Sequence, residues 1–161
     1  MTYSEFREEW LSETPMVSVR TSGSTGAPKA ITLTKEFMRQ SAWRTIRRFA
    51  LGSDSLLHSC ISADTIGGKM MMVRALECGA RFSCEKPSNA PLVSVVPSQL
   101  SYLVSHPAEQ AKCLRVLVGG SPLAPSLRRQ VAASGMEVYE SYGMTETASH
   151  IAVRRVEAQP T

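Results

Sequence analysis

Nine consecutive residues, Thr21-Ser22-Gly23-Ser24-Thr25-Gly26-Ala27-Pro28-Lys29, bring together four hydroxyl side chains, two glycines and a lysine. Glycine admits positive φ and lets backbone N–H groups turn inward. The hydroxyls add donors, and Lys29 adds a positive charge. A loop of this kind suits the oxygens of a polyphosphate. It is not a Walker A loop, which needs four residues between its glycines, a Gly-Lys-Ser/Thr ending and a helix directly after. Here two residues separate Gly23 from Gly26, and Pro28 precedes the lysine. Composition taken alone reads first as a surface hairpin, because Gly, Ser and Thr are ordinary turn residues.

The elements that flank the loop must hold it. Met16-Val17-Ser18-Val19-Arg20 and Ala30-Ile31-Thr32-Leu33-Thr34 both alternate, which predicts two strands joined by the loop. Upstream, residues 3–11 place Phe6 and Trp10 four apart among charged neighbours, as in a short amphipathic helix that Ser12 to Pro15 break. Downstream, Thr34 caps a helix from Lys35 to about Leu51. Its apolar stripe is Met38, Ala42, Ile46 and Phe49, Gly52 fits its C-terminal cap, and Arg39, Arg44, Arg47 and Arg48 read as a solvated face.

Residues 55–61 follow as a strand, 62–68 as a loop, 69–78 as a helix ended by Gly79, and 80–84 as a short strand before a turn-rich connector. A regular alternation comes next: strand 92–96, helix 97–104, strand 114–118, helix 125–134 closed by Gly135, strand 136–139, and a last strand over 150–156. This pattern predicts an α/β fold, a largely parallel sheet with crossover helices, plus the β-hairpin that carries the loop. Ligands of such sheets sit beyond the carboxyl ends of the strands. Gly119-Gly120 and Ser141-Tyr142-Gly143 are expected just past two such ends.

The chain has 161 residues, enough for one sizeable core. Its net charge of +4 is a modest excess, and no basic stretch is interleaved with stacking aromatics, so nucleic acid is not expected as a partner. Anionic small substrates account for the sign equally well. Cys60, Cys78, Cys84 and Cys113 form no Cys-x-x-Cys pair, and no His lies at metal-ligand spacing. Reduced cysteines in apolar runs suit the cytoplasm. The polar, acidic start is unlike a signal peptide, and no apolar run has the length of a membrane span.

The loop Thr21 to Lys29 resembles the phosphate-binding signature of the adenylate-forming superfamily, the acyl-CoA synthetases, adenylation domains and luciferases. A second stretch, Tyr139-Glu140-Ser141-Tyr142-Gly143-Met144-Thr145-Glu146-Thr147, resembles that superfamily's Tyr-Gly-x-Thr-Glu signature. Two long motifs in the right order are far more specific than either alone. Within the superfamily, the blocks 114–127 and 138–150, with Val96-Pro97-Ser98-Gln99-Leu100, are most similar to the o-succinylbenzoate–CoA ligases of menaquinone synthesis.

The resemblance implies two half-reactions: a carboxylate attacks the α-phosphorus of ATP to give an acyl-adenylate, and a thiol, usually CoA, then displaces AMP. It implies that Thr21, Ser22, Gly23, Ser24, Thr25, Gly26 and Lys29 wrap the β- and γ-phosphates. Thr145 would contact the α-phosphate, and Glu146 would hold Mg²⁺, a hard cation suited to carboxylate oxygen. Gly119, Gly120, Ser121 and Pro122 would form one wall of the adenine slot, and Glu140, Ser141, Tyr142 and Gly143 the other. Gly67, Gly68, Lys69, Ser98 and Met144 would meet the acid.

The sequence departs from the family at two places. Asp64-Thr65-Ile66-Gly67-Gly68-Lys69 stands where the family usually has aromatic-His-x-x-Gly. The expected His is missing, and Lys69 is the candidate to neutralise the spare carboxylate of succinylbenzoate. Its alternative is a solvated lysine at a helix start. Second, the family's ribose-binding acid, hinge and lysine-bearing small domain have no counterpart in these residues. The expected organisation is therefore an N-terminal helix and linker (1–15), an ATP/AMP-binding core (16–161) and no C-terminal small domain. Two function classes stay open: a ligase or part of one, and a non-catalytic module that binds nucleotide or acyl-adenylate. An apolar face left uncovered would favour self-association.

Overall fold

The computed structural model describes residues 1–21, 29–85 and 89–157. Helix α1 (Tyr3–Leu11) starts on a capping box. Thr2 Oγ1 accepts from the Glu5 N–H at 3.2 Å, and a Glu5 carboxylate oxygen accepts from the Thr2 N–H at 2.6 Å. Phe6 and Trp10 are buried, so the N-terminal helix belongs to the same core as the rest. Strands β1 (Met16–Arg20) and β2 (Ala30–Thr34) then pair antiparallel as a separate two-stranded sheet, with Arg20 opposite Ala30.

Helix α2 (Lys35–Phe49) follows without a spacer. Thr34 ends β2 and also caps the helix, its hydroxyl accepting from the Phe37 N–H at 3.1 Å. The predicted apolar stripe is buried throughout. The helix stops earlier than expected, because Ala50 rather than Gly52 takes the left-handed position (φ 49°). The Leu51 N–H bonds Ile46 O at 3.0 Å, and Leu51 turns back into the core.

The main sheet has six strands in the order β4-β3-β5-β6-β7-β8. These are β3 (Leu56–Ser59), β4 (Arg81–Ser83), β5 (Leu92–Val95), β6 (Arg115–Val118), β7 (Glu137–Met144) and β8 (Ser149–Arg155). All pairings are parallel except β7 with β8. The helices between them are α3 (Ile66–Cys78), α4 (Pro97–Ser105), the short α5 (Pro107–Gln110) and α6 (Pro125–Ser134). Strands β5 and β6 are covered on both faces, which explains why all of their residues but Ser94 and Arg115 are apolar. Leu92 and Leu117 face the core shared with α1, α2 and α3; Val93, Val95, Val116 and Val118 face the core shared with α4 and α6. Each such side chain contributes about 1.5–3 kcal/mol through burial.

Two further boundaries that differ from the sequence reading bear on the motifs. Helix α3 begins at Ile66, not Lys69, on Thr65, whose hydroxyl accepts from the Gly68 N–H at 3.2 Å. Gly67 and Gly68 therefore lie in its first turn instead of a loop. Gly68 is required there: a Cβ would strike Ser62 O and come within 2.8 Å of the Tyr3 hydroxyl. Strand β7 runs to Met144 instead of Tyr139, so Ser141, Tyr142 and Gly143 are inside a strand. The parallel ladder with β6 nevertheless ends at Val118 opposite Glu140. Beyond that point β7 is paired by β8 alone, and the motif projects past the parallel sheet as a two-stranded ribbon.

Candidate functional site

Thr21 and Lys29 form the last described rung of the β1–β2 hairpin. The Thr21 N–H donates to Lys29 O at 2.9 Å, and the Lys29 N–H donates to Thr21 Oγ1 at 3.2 Å. This rung brings the two ends of the hydroxyl-rich loop together and leaves Lys29 exposed beside it. Ser22, Gly23, Ser24, Thr25 and Gly26 lie outside the described residues.

The second motif is built from a close-packed hairpin. At Gly143 a Cβ would strike Ser149 O and His150 Cα, so the glycine of Tyr-Gly-Met-Thr-Glu is set by backbone approach. A β-bulge here skips Ile151, so that His150 opposes Gly143. Thr145, Glu146 and Thr147 form a 3₁₀ turn. Thr147 closes it: its Oγ1 accepts from the Met144 N–H at 2.9 Å and approaches Ser149 O at 2.6 Å. Glu146 is exposed at the tip, and Tyr142 and Met144 are also exposed on the ribbon.

Helix α2 links the hairpin that ends in β2 to the second motif. It grows out of β2, and its buried Ser41 and Thr45 reach the far hairpin. Ser41 Oγ donates to Ala148 O at 2.8 Å, and Thr45 Oγ1 lies 3.0 Å from His150 Nε2. The Thr145–Thr147 turn lies against β2.

The predicted adenine walls also meet. Ser141 Oγ donates to Val118 O at 2.9 Å and sits where a Cβ on Gly119 would be. Gly120 follows with φ 95°. Ser121 and Pro122 are exposed in the same turn. Glu140 behaves differently from its neighbours. Its carboxylate accepts from Arg128 at 2.5 and 2.6 Å, from Arg154 at 3.0 Å and from the Leu123 N–H at 3.3 Å. Burial raises its pKa, but these hydrogen bonds outweigh burial and hold the carboxyl below the usual glutamate value. The side chain therefore ties the Gly-Gly turn and α6 to β7.

The acid-facing residues are less well matched. Ser98 is exposed in the first turn of α4. Lys69 is neither solvated nor open to a ligand: it is 2% exposed, its Nζ lies 4.1 Å from the centre of the Phe6 ring and 3.8 Å from Glu9, and burial lowers its pKa. Helix α1 covers it.

The buried cation that sequence reasoning missed is Arg74. It is 1% exposed and has no carboxylate partner among the described residues; its Nη2 lies 3.4 Å from His150 Nδ1 and its Nε is unpaired. Burial pushes its pKa down to about 9. Burial, then Arg74 and Arg44, push His150 down to about 3. The ring is neutral, so Nδ1 accepts from the guanidinium and Nε2–H donates to Thr45. The available signal was an arginine set between Met72-Val73 and Ala75-Leu76.

The family model described as AMP-binding enzyme matches residues 5–161. The chain belongs to the AMP-binding enzyme family. Among curated relatives, the 2-succinylbenzoate–CoA ligase of Bacillus mycoides is 28% identical over 90% of this chain and 33% of its own length. That of Bacillus cereus (strain ATCC 10987) is 27% identical over 92% and 34%. The chain thus spans about a third of the length of the curated relatives it matches.

Among solved structures, an acyl-CoA synthetase (AMP-forming)/AMP-acid ligase II-like protein of Dyadobacter fermentans is 34% identical with TM-score 0.84, covering 96% of this chain and 48% of that one. The o-succinylbenzoate coenzyme A synthetase of Bacillus subtilis, in complex with ATP and magnesium ion, has TM-score 0.76 over 86% of this chain and 32% of that one. At 22% identity it shows the shared fold alone.

The described residues can be tested for a metal or a magnesium–nucleotide ligand. No group of three or more His, Cys, Asp or Glu side chains is placed to hold a metal ion among the described residues. Magnesium bound through one or two carboxylates with substrate phosphates needs no such cluster. Glu146, exposed and without an ion pair among the described residues, fits that role. No helix among the described residues is long and apolar enough to cross a membrane.

Proposed function

We propose that this chain is the nucleotide-binding core of an ATP-dependent carboxylate–CoA ligase, with o-succinylbenzoate as the acid. The observation that carries this reading is the packing of the Thr145–Thr147 turn against β2, with Ser41 and Thr45 bridging to Ala148 and His150. It supports a single cleft in which residues 21–29 grip the β- and γ-phosphates while Thr145 and Glu146 meet the α-phosphate and its metal. An anion attacking a polyanion gains most from positioned donors and cations. Mg²⁺, when bound, neutralises phosphate charge as a Lewis acid.

In this reading Lys29 stabilises the departing pyrophosphate and Thr145 orients the α-phosphate. Gly119 to Pro122 and Glu140 to Gly143 hold adenine by their backbone, and Tyr142 is free to stack on it. The acid's carboxylate attacks the α-phosphorus, its P–O bond forms as the bond to pyrophosphate breaks, and CoA later displaces AMP.

The test is ATP–pyrophosphate exchange with a panel of carboxylic acids, o-succinylbenzoate included, in the wild type and in Lys29→Ala and Glu146→Gln. Acid-dependent exchange that both substitutions abolish is expected. Absence of both exchange and ATP binding would overturn the reading. ATP binding without exchange would favour a second reading, a non-catalytic nucleotide-binding module.

A further inference from the structure

We propose that Ser41 and Thr45 of α2 are positioning residues for the Thr145–Glu146 turn, a role that rests on the nucleotide-binding reading above. Directly after the turn, two consecutive residues with a Cβ, Ala148 and Ser149, hold φ of 51° and 80°. Left-handed backbone at such residues costs free energy and persists only where the surroundings fix it. Ala148 is fully buried, so its carbonyl also needs a partner within the protein.

Helix α2 meets both demands. Ser41 Oγ donates to Ala148 O at 2.8 Å in a buried hydrogen bond. One helical turn later, Thr45 Oγ1 accepts from His150 Nε2 at 3.0 Å, while Arg74 fixes the other ring nitrogen. Within the hairpin, Thr147 and the bare backbone of Gly143 press on Ser149 O. The strained pair is thus held from both sides, and the outer hold comes from a helix whose cap, Thr34, is the last residue of the phosphate hairpin. One helix indexes both motifs: its first residue is fixed by β2, and its second and third turns set where Thr145 and Glu146 point.

The test titrates this chain with ATP in the presence and absence of Mg²⁺ by calorimetry and follows amide hydrogen exchange from Met144 to His150. Ser41→Ala is expected to weaken ATP binding about tenfold in Mg²⁺, the scale of one buried hydrogen bond lost. The loss should be smaller without Mg²⁺, and exchange at Thr147 to His150 should quicken. Thr45→Val, which keeps the shape and removes the hydroxyl, is expected to move both readouts in the same direction. Ser41→Thr, which restores a donor, is expected to recover affinity. A purely structural role would lower the melting temperature and leave the Mg²⁺-dependent part of the affinity unchanged, and that result overturns the proposal, as does wild-type affinity in both variants. Failure of the wild type to bind ATP overturns the nucleotide reading itself and this proposal with it.

Discussion

His150 is expected to make the fold acid-sensitive. Its pKa in the folded chain is pushed down to about 3 by burial and by the nearby Arg74 and Arg44 guanidinium groups. An unfolded histidine titrates at about 6.5. As pH drops below that value, the unfolded chain takes up a proton at this residue and the folded chain refuses it. Stability is therefore complete above about pH 6.5, declines as pH decreases, and stops declining once the folded ring protonates near 3. Between about pH 6.5 and 5 the loss depends on the unfolded value alone. About 1.5 pH units at 1.36 kcal/mol each gives about 2 kcal/mol. His58, also lowered by burial, adds a loss of the same sign, so the assay is a difference. Urea unfolding is measured at pH 7 and pH 5 for the wild type and for His150→Gln, which keeps a hydrogen-bonding group near Thr45. The wild type is expected to lose about 2 kcal/mol more than the variant. Equal losses would mean that the folded ring accepts a proton freely, and the Thr45–His150–Arg74 arrangement would be refuted.

Gly143→Ala forces a Cβ into Ser149 O and His150 Cα, and is expected to lower stability by about 1–3 kcal/mol in urea unfolding. Glu140→Gln weakens the bonds to Arg128 and Arg154; thermal unfolding at pH 7 should show a loss of about 1–3 kcal/mol. Because the Glu140 carboxyl is held below its ordinary value, its stabilisation is present above the ordinary glutamate pKa and is lost as pH falls through the folded value. The variant should lack that part of the acid sensitivity. Arg74→Met removes a buried cation that has no carboxylate partner among the described residues, at similar volume; its melting temperature should be unchanged or higher.

Much of the architecture was legible because the signals were local. Alternation in 16–20 and 30–34, the cap at Thr34, and the terminating glycines at 79 and 135 are short-range choices that the tertiary structure keeps. What escaped was set by distant partners. Gly67-Gly68 reads as a loop, yet both lie in the first turn of α3, where Ser62 O and the hydroxyl of Tyr3, 65 residues earlier, leave Gly68 no room for a Cβ. Ser141-Tyr142-Gly143 reads as a strand end, yet a ribbon with one paired side tolerates exposed and small residues.

The two buried cations were legible to different degrees. Lys69 looks solvated until α1 is laid over it, whereas Arg74 is internal from the start, as its apolar neighbours signalled. Arg39 departs from a purely solvated face by pairing with Glu77 at 3.1 Å, while Arg44, Arg47 and Arg48 remain exposed. In the candidate site, the positions of the Gly119–Gly120 turn and of the Thr-Glu turn followed from the motifs. The bracing by Ser41, Thr45 and His150 did not, since no pattern in sequence links residues a hundred positions apart.

Thr34 is both the end of a strand and the start of a helix, so the junction between them has no slack. A single residue added there would rotate every later position of α2 by about 100° about its axis. Met38 and Ala42 would swing toward water, and the two hydroxyls facing the far hairpin would swing with them. Chain length at this one joint is therefore fixed from both directions, by the packing of the core and by the bonds from α2 to the far hairpin.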